Sequence, residues 1–367
     1  MDKKLLQEIP KNIFHFINRL NKDEIYLYNP STSGVTENGK GLSLGYSCYA
    51  LKIYFMTGEW EKLETNKKQD WINFINSFQV NESNFPKNSF IDPSFLEAYS
   101  KLPIKQELKF LAKSFLNSTK IKKFDNKSTQ LRKSINAETK QAISSLYQIG
   151  NQTSSKVFLD YKTSNELEDY LKNLDWSKPW TSGAQFSSIC VYNETQNLNF
   201  SEDLKTFAKK TANSETGSYY TSTPDSSREV INGAMKVISG LDWINEEIHF
   251  PNKLIEYCLK NVPIMEGCDI VDFVYVLYMC SKQTEFKKKE INEVFKNLLD
   301  DLLHLYNYDD NAFSYYKGKS QTHYYGVEIT HGLNTADIHG STLCLWALIM
   351  ILENLELSDS NLSTIKP

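Results

Sequence analysis

Arginine is scarce in this chain. Of 41 basic residues only Arg19, Arg132 and Arg228 are arginines, a usage that fits an AT-rich coding sequence. At most three forked, bidentate clamps for phosphate or carboxylate are therefore on hand. A basic surplus is missing too: 41 basic residues face 45 acidic ones, for a net charge of −4. That balance argues against a dedicated nucleic-acid binder. No run reaches the roughly 18 apolar residues that span a bilayer. The longest apolar stretch, Leu343 to Leu352, reads as a buried helix. The opening MDKKLLQEIP has no apolar core of signal-peptide length. The six cysteines form no CxxC pair. Scattered in apolar helical contexts, they read as reduced, buried small hydrophobes. The expectation is a soluble, cytoplasmic protein with no integral membrane segment and no nucleic-acid partner.

What is present is apolar material with helical spacing. Hydrophobic residues make up 40% of 367 residues and aromatic residues 13%, enough for a sizeable core. Helical periodicity predicts about a dozen helices and no convincing strand hairpin. Leu44 to Thr57, Ile270 to Cys280 and Ile338 to Leu352 are apolar on nearly every side; Ser201 to Ala212 and Thr284 to Tyr306 show one apolar stripe. A helix apolar all round must be buried all round. An inner ring of buried helices wrapped by an outer ring of amphipathic ones meets both demands. The predicted fold is all-α: an α/α toroid of about six helical hairpins around a central cavity, formed by residues 1–355 as one domain. Glu356 to Pro367 is expected to be a frayed polar tail. Asn117 to Ser134 reads as a domain boundary or a long surface loop.

In such a toroid the ends of the inner helices line the cavity, so polar and aromatic residues there are the candidates. Asp272 is flanked by Ile, Val and Phe on a helix without a polar face, and a carboxylate there needs a partner, a metal or cavity water. Asp269 opens the same helix and caps it. His331, Asp337 and His339 precede the last buried helix and can act as acid, base or metal ligand. Trp176, Trp180 and Gln185 open a further apolar stretch; Tyr219, Tyr220 and Arg228 form a similar entrance, with Arg228 a candidate for anion binding. Tyr275 and Tyr325 complete the expected substrate-binding set. Aromatic-rich entrances of this kind suit carbocations or sugar rings, which both use π faces. The aromatic excess is expected to line the cavity as well as to fill the core.

Val271-Asp272-Phe273-Val274-Tyr275 and Asp337-Ile338-His339 resemble motifs of the protein prenyltransferase β-subunits, which belong with the terpene cyclases in the α/α-toroid superfamily. The resemblance implies zinc, with Asp272 and His339 as ligands. Val274 stands where that family has a Cys ligand, and Cys268, one turn before Asp272, is the nearest replacement. One residue is missing between Asp337 and His339 relative to the family pattern, and the D-x-D-D acid of class II cyclases is absent.

Three functions follow as expectations. The first is a prenyltransferase or terpene-cyclase-like enzyme acting on a hydrophobic or ring substrate. The second is a carbohydrate-active α/α barrel of the glycosidase or lyase type, with a glycan substrate and acid–base residues drawn from the same set. The third is a ligand-binding toroid without catalysis.

Overall fold

The computed structural model describes residues 3–81, 84–118 and 125–367. Among the described residues fifteen α-helices carry the fold: α1 (Lys3–Leu20), α2 (Glu37–Gly41), α3 (Leu44–Met56), α4 (Thr65–Asn76), α5 (Pro93–Ser100), α6 (Ile104–Ser118), α7 (Lys127–Gln148), α8 (Ser164–Lys172), α9 (Pro179–Thr195), α10 (Ser201–Thr211), α11 (Ser227–Trp243), α12 (Pro251–Lys260), α13 (Cys268–Ser281), α14 (Lys288–Leu303) and α15 (Ile338–Asn354). Three two-stranded antiparallel ribbons accompany them: β1 (Gln79–Val80) with β2 (Ser89–Phe90), β3 (Tyr306–Asn307) with β4 (Ala312–Phe313), and β5 (His323–Tyr324) with β6 (Val327–Glu328). Two residues per strand leave too little alternation to register as a hairpin, so these ribbons escape the periodicity reading.

Six helices form a closed ring. α3 packs on α7, α7 on α9, α9 on α11, α11 on α13, α13 on α15, and α15 returns to α3. The contacts run in register, so neighbours are parallel. Along α9 and α11, Gly183 lies against Gly233, and Ser187 bonds Ser239 at 2.9 Å. Along α11 and α13, Arg228 meets Asp269 and Lys236 meets Asp272. Along α13 and α15, Tyr275 meets Trp346 and Ser281 meets Asn354. Helices between these in the chain lie outside: α1 against α3 and α15, α10 against α9, α12 against α13, α14 against α13 and α15. This is the α/α toroid. The helices apolar on every side (α3, α13, α15) are inner ones, and the striped α10 and α14 are outer ones. Among the described residues no helix is long and apolar enough to cross a membrane.

Several local expectations change. The polar stretch from Asn117 is no loop beyond residue 126, because Asn126 caps Thr129 N–H and α7 runs unbroken from there; residues 119–124 of that stretch lie outside the described residues. Asn136 is therefore a mid-helix residue rather than a cap. Gly240 does not end α11 but lies within it, where a Cβ would come 3.0 Å from Cys190 Sγ. The tail is not frayed. Trp243 Nε1 donates to Pro367 O at 2.7 Å, Trp346 Nε1 to Thr364 Oγ1 at 3.0 Å, Lys366 N to Gln148 Oε1 at 2.8 Å, and Ser363 N to Met56 O at 3.1 Å. Met56, Gln148 and Trp243 are the last residues of α3, α7 and α11, so the tail crosses the C-terminal end of the ring. Tyr147 reaches Trp243 there, with centroids 4.7 Å apart, narrowing that end further.

The α9–α11 seam depends on small residues. A Cβ on Gly233 would lie 2.5 Å from Pro179 Cβ and 2.9 Å from the Pro179 carbonyl carbon. Gly233→Ala gains roughly 1 kcal/mol of helix propensity but overpacks a rigid ring and backbone at a cost of ~1–3 kcal/mol. A net loss of stability is expected in urea unfolding, and an unchanged or raised midpoint would contradict this packing.

Candidate active site

The parallel inner helices bring their N-terminal ends to one rim. Asp92 stitches it by accepting from Ser43 N at 2.7 Å, Leu44 N at 3.1 Å and Ser94 N at 2.9 Å, so one carboxylate caps both α3 and α5. Asp337 does the same for α15, accepting from Gly340 N and Tyr315 N at 2.7 Å and from Gln321 N at 3.0 Å. Its expected role as acid, base or ligand thus gives way to a structural one. Burial lifts its carboxyl to about 6, against those N–H donors.

Inside the rim stand three lysines that no sequence motif marks. Lys52 on α3, Lys140 on α7 and Lys236 on α11 belong to inner helices yet keep part of their surface accessible; for Lys236 that part is 22% of the side chain. Lys236 on α11 repels both Lys52 on α3 and Lys140 on α7, helices that do not pack on α11, so the three converge toward the ring interior. Lys236 Nζ lies 3.3 Å from Asp272 Oδ1. Lys52 and Lys140 have no hydrogen-bond or ion-pair partner among the described residues. Burial lowers Lys52 to about 8, with Lys236 adding repulsion, and lowers Lys140 to about 7, with Lys236 and Lys52 adding theirs. The three ammoniums thus lie within electrostatic reach of one another. Lys52 stands out as the lone charge of the apolar α3, the same signal that marked Asp272, whereas α7 and α11 carry further charges that mask Lys140 and Lys236.

Asp272 is fully buried, and burial raises it to about 6 despite the attraction of Lys236. Its Oδ2 has no partner. His339 is sandwiched between Tyr49 (centroids 4.4 Å apart, planes 15°) and Tyr315 (5.0 Å). Burial, then Lys52 and Lys236, push it down to about 3, so the ring is neutral at ordinary pH. Its Nδ1 is buried without a partner, as is Asn232 Oδ1. Buried polar atoms left open are what a bound ligand or water satisfies. The Tyr49 hydroxyl is held well above its ordinary value by burial and keeps its proton. Gly267, at φ 56°, makes room for Tyr315, whose ring a Cβ would meet at 2.5 Å.

The mouth carries Arg228, Trp180 and Tyr325. Arg228 Nε donates to Asp269 at 2.8 and 2.9 Å, and its guanidinium lies 4.7 Å above the Trp180 ring. Asn232 holds the same carboxylate at 2.7 Å. Tyr325 and Gly326 form the two-residue turn between β5 and β6, with φ of 45° and 91°. Such a turn prefers Asn-Gly, and a bulky Tyr at positive φ costs energy. The position is held by a ring that packs on Phe95 and Tyr324.

Other expected residues lie elsewhere. Trp176 is buried against Phe207 with Nε1 on Leu171 O, a core role. Tyr219 is fully buried with its hydroxyl against His249, and Tyr220 meets Thr216. Gln185 ties α9 to Asn136 of α7 at 3.0 Å. Tyr275 packs on Trp346, its hydroxyl buried and unpartnered. His331 is an exposed surface residue 3.7 Å from Glu328. Cys268 Sγ sits 3.2 Å from the Tyr315 hydroxyl, and burial pushes its thiol up to about 11. Among the described residues no three His, Cys, Asp or Glu side chains are grouped to hold a metal ion, so the zinc set of Asp272, His339 and Cys268 does not form.

Lys140 gives this site a pH signature. Its pKa falls from 10.5 unfolded to about 7 folded, so the folded state loses stability as pH falls through 7 and regains it toward 10.5. Lys140→Met is expected to be more stable than the parent at pH 6, with the advantage narrowing as pH approaches 10. Thermal melts across that range check it; an advantage that grows with pH would refute the buried-cation assignment.

No family model matches the chain, and no curated protein matches it. Among solved structures it is similar to a polysaccharide lyase, at 14% identity over 96% of this chain and 98% of that one, with a TM-score of 0.44.

Proposed function

We propose that the protein is a carbohydrate-active enzyme that draws an acidic glycan into the ring and cleaves it by elimination. The observation that carries this reading is the lysine trio: Lys52, Lys140 and Lys236 stand on three inner helices within electrostatic reach of one another, and only Lys236 has a carboxylate, that of Asp272. Such a cavity is short of negative charge, and a uronate carboxylate supplies it. Trp180 and Tyr325 offer flat faces to sugar rings at the mouth.

The chemistry divides among these residues. Lys52, Lys140 and Lys236 neutralise the substrate carboxylate, which acidifies the adjacent carbon-bound proton and stabilises the enolate that forms when it leaves. His339 takes that proton. Burial, with Lys52 and Lys236 adding repulsion, lowers its pKa to about 3, so the imidazole is neutral with a lone pair to accept the proton; a bound carboxylate offsets the lysines' share of that shift and strengthens the base. The electron pair then forms the C=C bond as the neighbouring C–O bond breaks, and Tyr49, kept protonated by burial, gives its proton to the departing oxygen. Asp272 positions Lys236. A two-carboxylate hydrolase fits less well, because Asp272 is tied to Lys236 and Asp269 to Arg228.

A prenyl diphosphate is the competing occupant, since its anion also suits three lysines. Incubation with uronate-containing oligosaccharides, neutral oligosaccharides and a prenyl diphosphate separates the readings. The expected result is an unsaturated uronate product, seen by its ultraviolet absorbance, from the acidic glycan alone. His339→Ala should lower that rate by about 10²–10⁴-fold with binding retained, whereas Lys236→Met should weaken binding. Hydrolysed products without the new double bond, or tight binding of only the diphosphate, would overturn the proposal.

A further inference from the structure

Of the three arginines in this chain, only Arg228 leaves both Nη groups without a partner among the described residues. Arg19 and Arg132 each donate through Nη2, to Asp310 and to Asp160. Arg228 is held through Nε alone, which donates to both Asp269 oxygens at 2.8 and 2.9 Å. Its guanidinium lies 4.7 Å above the Trp180 ring, and Asn232 donates to the same Asp269 carboxylate at 2.7 Å. These contacts set the plane and direction of the guanidinium, yet 55% of the side chain is exposed. A guanidinium held by its Nε side has its terminal Nη pair free to take a second carboxylate through two parallel N–H bonds.

The register of α11 ties this arginine to the lysines. Arg228, Asn232 and Lys236 follow one another at four-residue steps, on one face of the helix. Arg228 and Lys236 are therefore separated by about 12 Å along the axis, more than the breadth of one sugar ring. A carboxylate bound among the lysines is too far away to be shared with Arg228, whereas a charged group on a neighbouring sugar of the same chain falls within its reach. Between the two cations Asn232 is fully buried and its Oδ1 has no partner, which leaves an acceptor for a sugar hydroxyl. Tyr315, whose ring lies 5.0 Å from that of His339, is within electrostatic reach of Arg228. The arginine thus stands beside the residues assigned to the chemistry, and from the mouth inward α11 presents a cation, a hydroxyl acceptor and a second cation.

We propose that Arg228, steadied on Trp180, is a second carboxylate subsite, which makes the protein selective for glycans with uronates on neighbouring sugars over those with a single one. This inference rests on the acidic-glycan reading and adds to it the place where the second charge is held. The test compares kcat/KM for two oligosaccharides of equal length, one of consecutive uronates and one with a single uronate among neutral sugars. The parent protein is expected to prefer the first by about tenfold or more, the scale of one charge-assisted hydrogen-bonded contact. Arg228→Lys keeps a cation for Asp269 and loses the fork; Arg228→Met loses both. Each should remove most of the preference, through a raised KM more than through a lowered kcat. Circular dichroism checks folding, and Arg228→Lys serves alone where Arg228→Met does not fold. A parent without the preference, variants that keep it, or an equal loss on both substrates overturns the subsite and leaves the elimination reading standing. A parent that neither binds nor cleaves either oligosaccharide overturns the acidic-glycan reading, and the subsite with it.

Discussion

Lysines enclosed by a ring of apolar helices are the constraint around which this molecule is arranged. A buried ammonium without a partner is costly, and here Lys52 and Lys140 lack one while Lys236 has a single carboxylate oxygen. The fold tolerates them by leaving a cavity where water or a ligand can reach them, and by lowering their proton affinity. Burial depresses His339, with Lys52 and Lys236 adding to it, and Lys236 keeps Asp272 from rising further. The acid–base properties of the site are therefore one coupled system, and an anion entering the cavity changes all of them together.

The parallel arrangement of the inner helices works in the same direction. Each helix directs the positive end of its dipole to the rim, and three of these N-termini are already answered by Asp92, Asp337 and Asp269. These carboxylates neutralise the rim locally, so the net positive charge is displaced inward to the lysines. At the opposite end the helix dipoles are negative, and there Lys366 of the tail lies over the Trp243 ring at 5.0 Å and 3.8 Å from Asp242. The tail closes the end where an anion would be repelled and leaves open the end where it is attracted.

Much of the fold was legible because burial on every side leaves a compositional mark: α3, α13 and α15 declare themselves inner helices by lacking a polar face. The closed toroid was legible too, but which side chains meet across it was not, because pairings such as Tyr49 with His339 are encoded by no local pattern. At the site, Asp272 and His339 were legible as polar residues in apolar surroundings. Lys52 carries the same mark, but lysine is so common in this chain that one more draws no notice, and Lys236 shares its helix with Arg228, Glu229 and Asp242. Lys140 lies in a helix of mixed polar and apolar residues, where a further lysine carries no signal. Asp337 misled for a physical reason: a carboxylate at a helix start serves as a cap or as chemistry with the same sequence signature, and only its three N–H donors decide.

The aromatic excess divides along similar lines. Trp71, Trp243, Tyr28, Tyr219 and Phe186 are among the largest fully buried side chains, so much of the 13% fills the space between the rings. A smaller set (Tyr49, Tyr315, Tyr325 and Trp180) meets the cavity or its mouth, and each member is held by something other than apolar packing alone. Tyr49 and Tyr315 hold an imidazole between them, Trp180 lies under a guanidinium, and Tyr325 occupies a turn position that favours asparagine. Aromatic rings engaged with polar groups or strained backbone are retained at some cost to stability. That cost, more than the number of rings, distinguishes the residues of the cavity from those of the core.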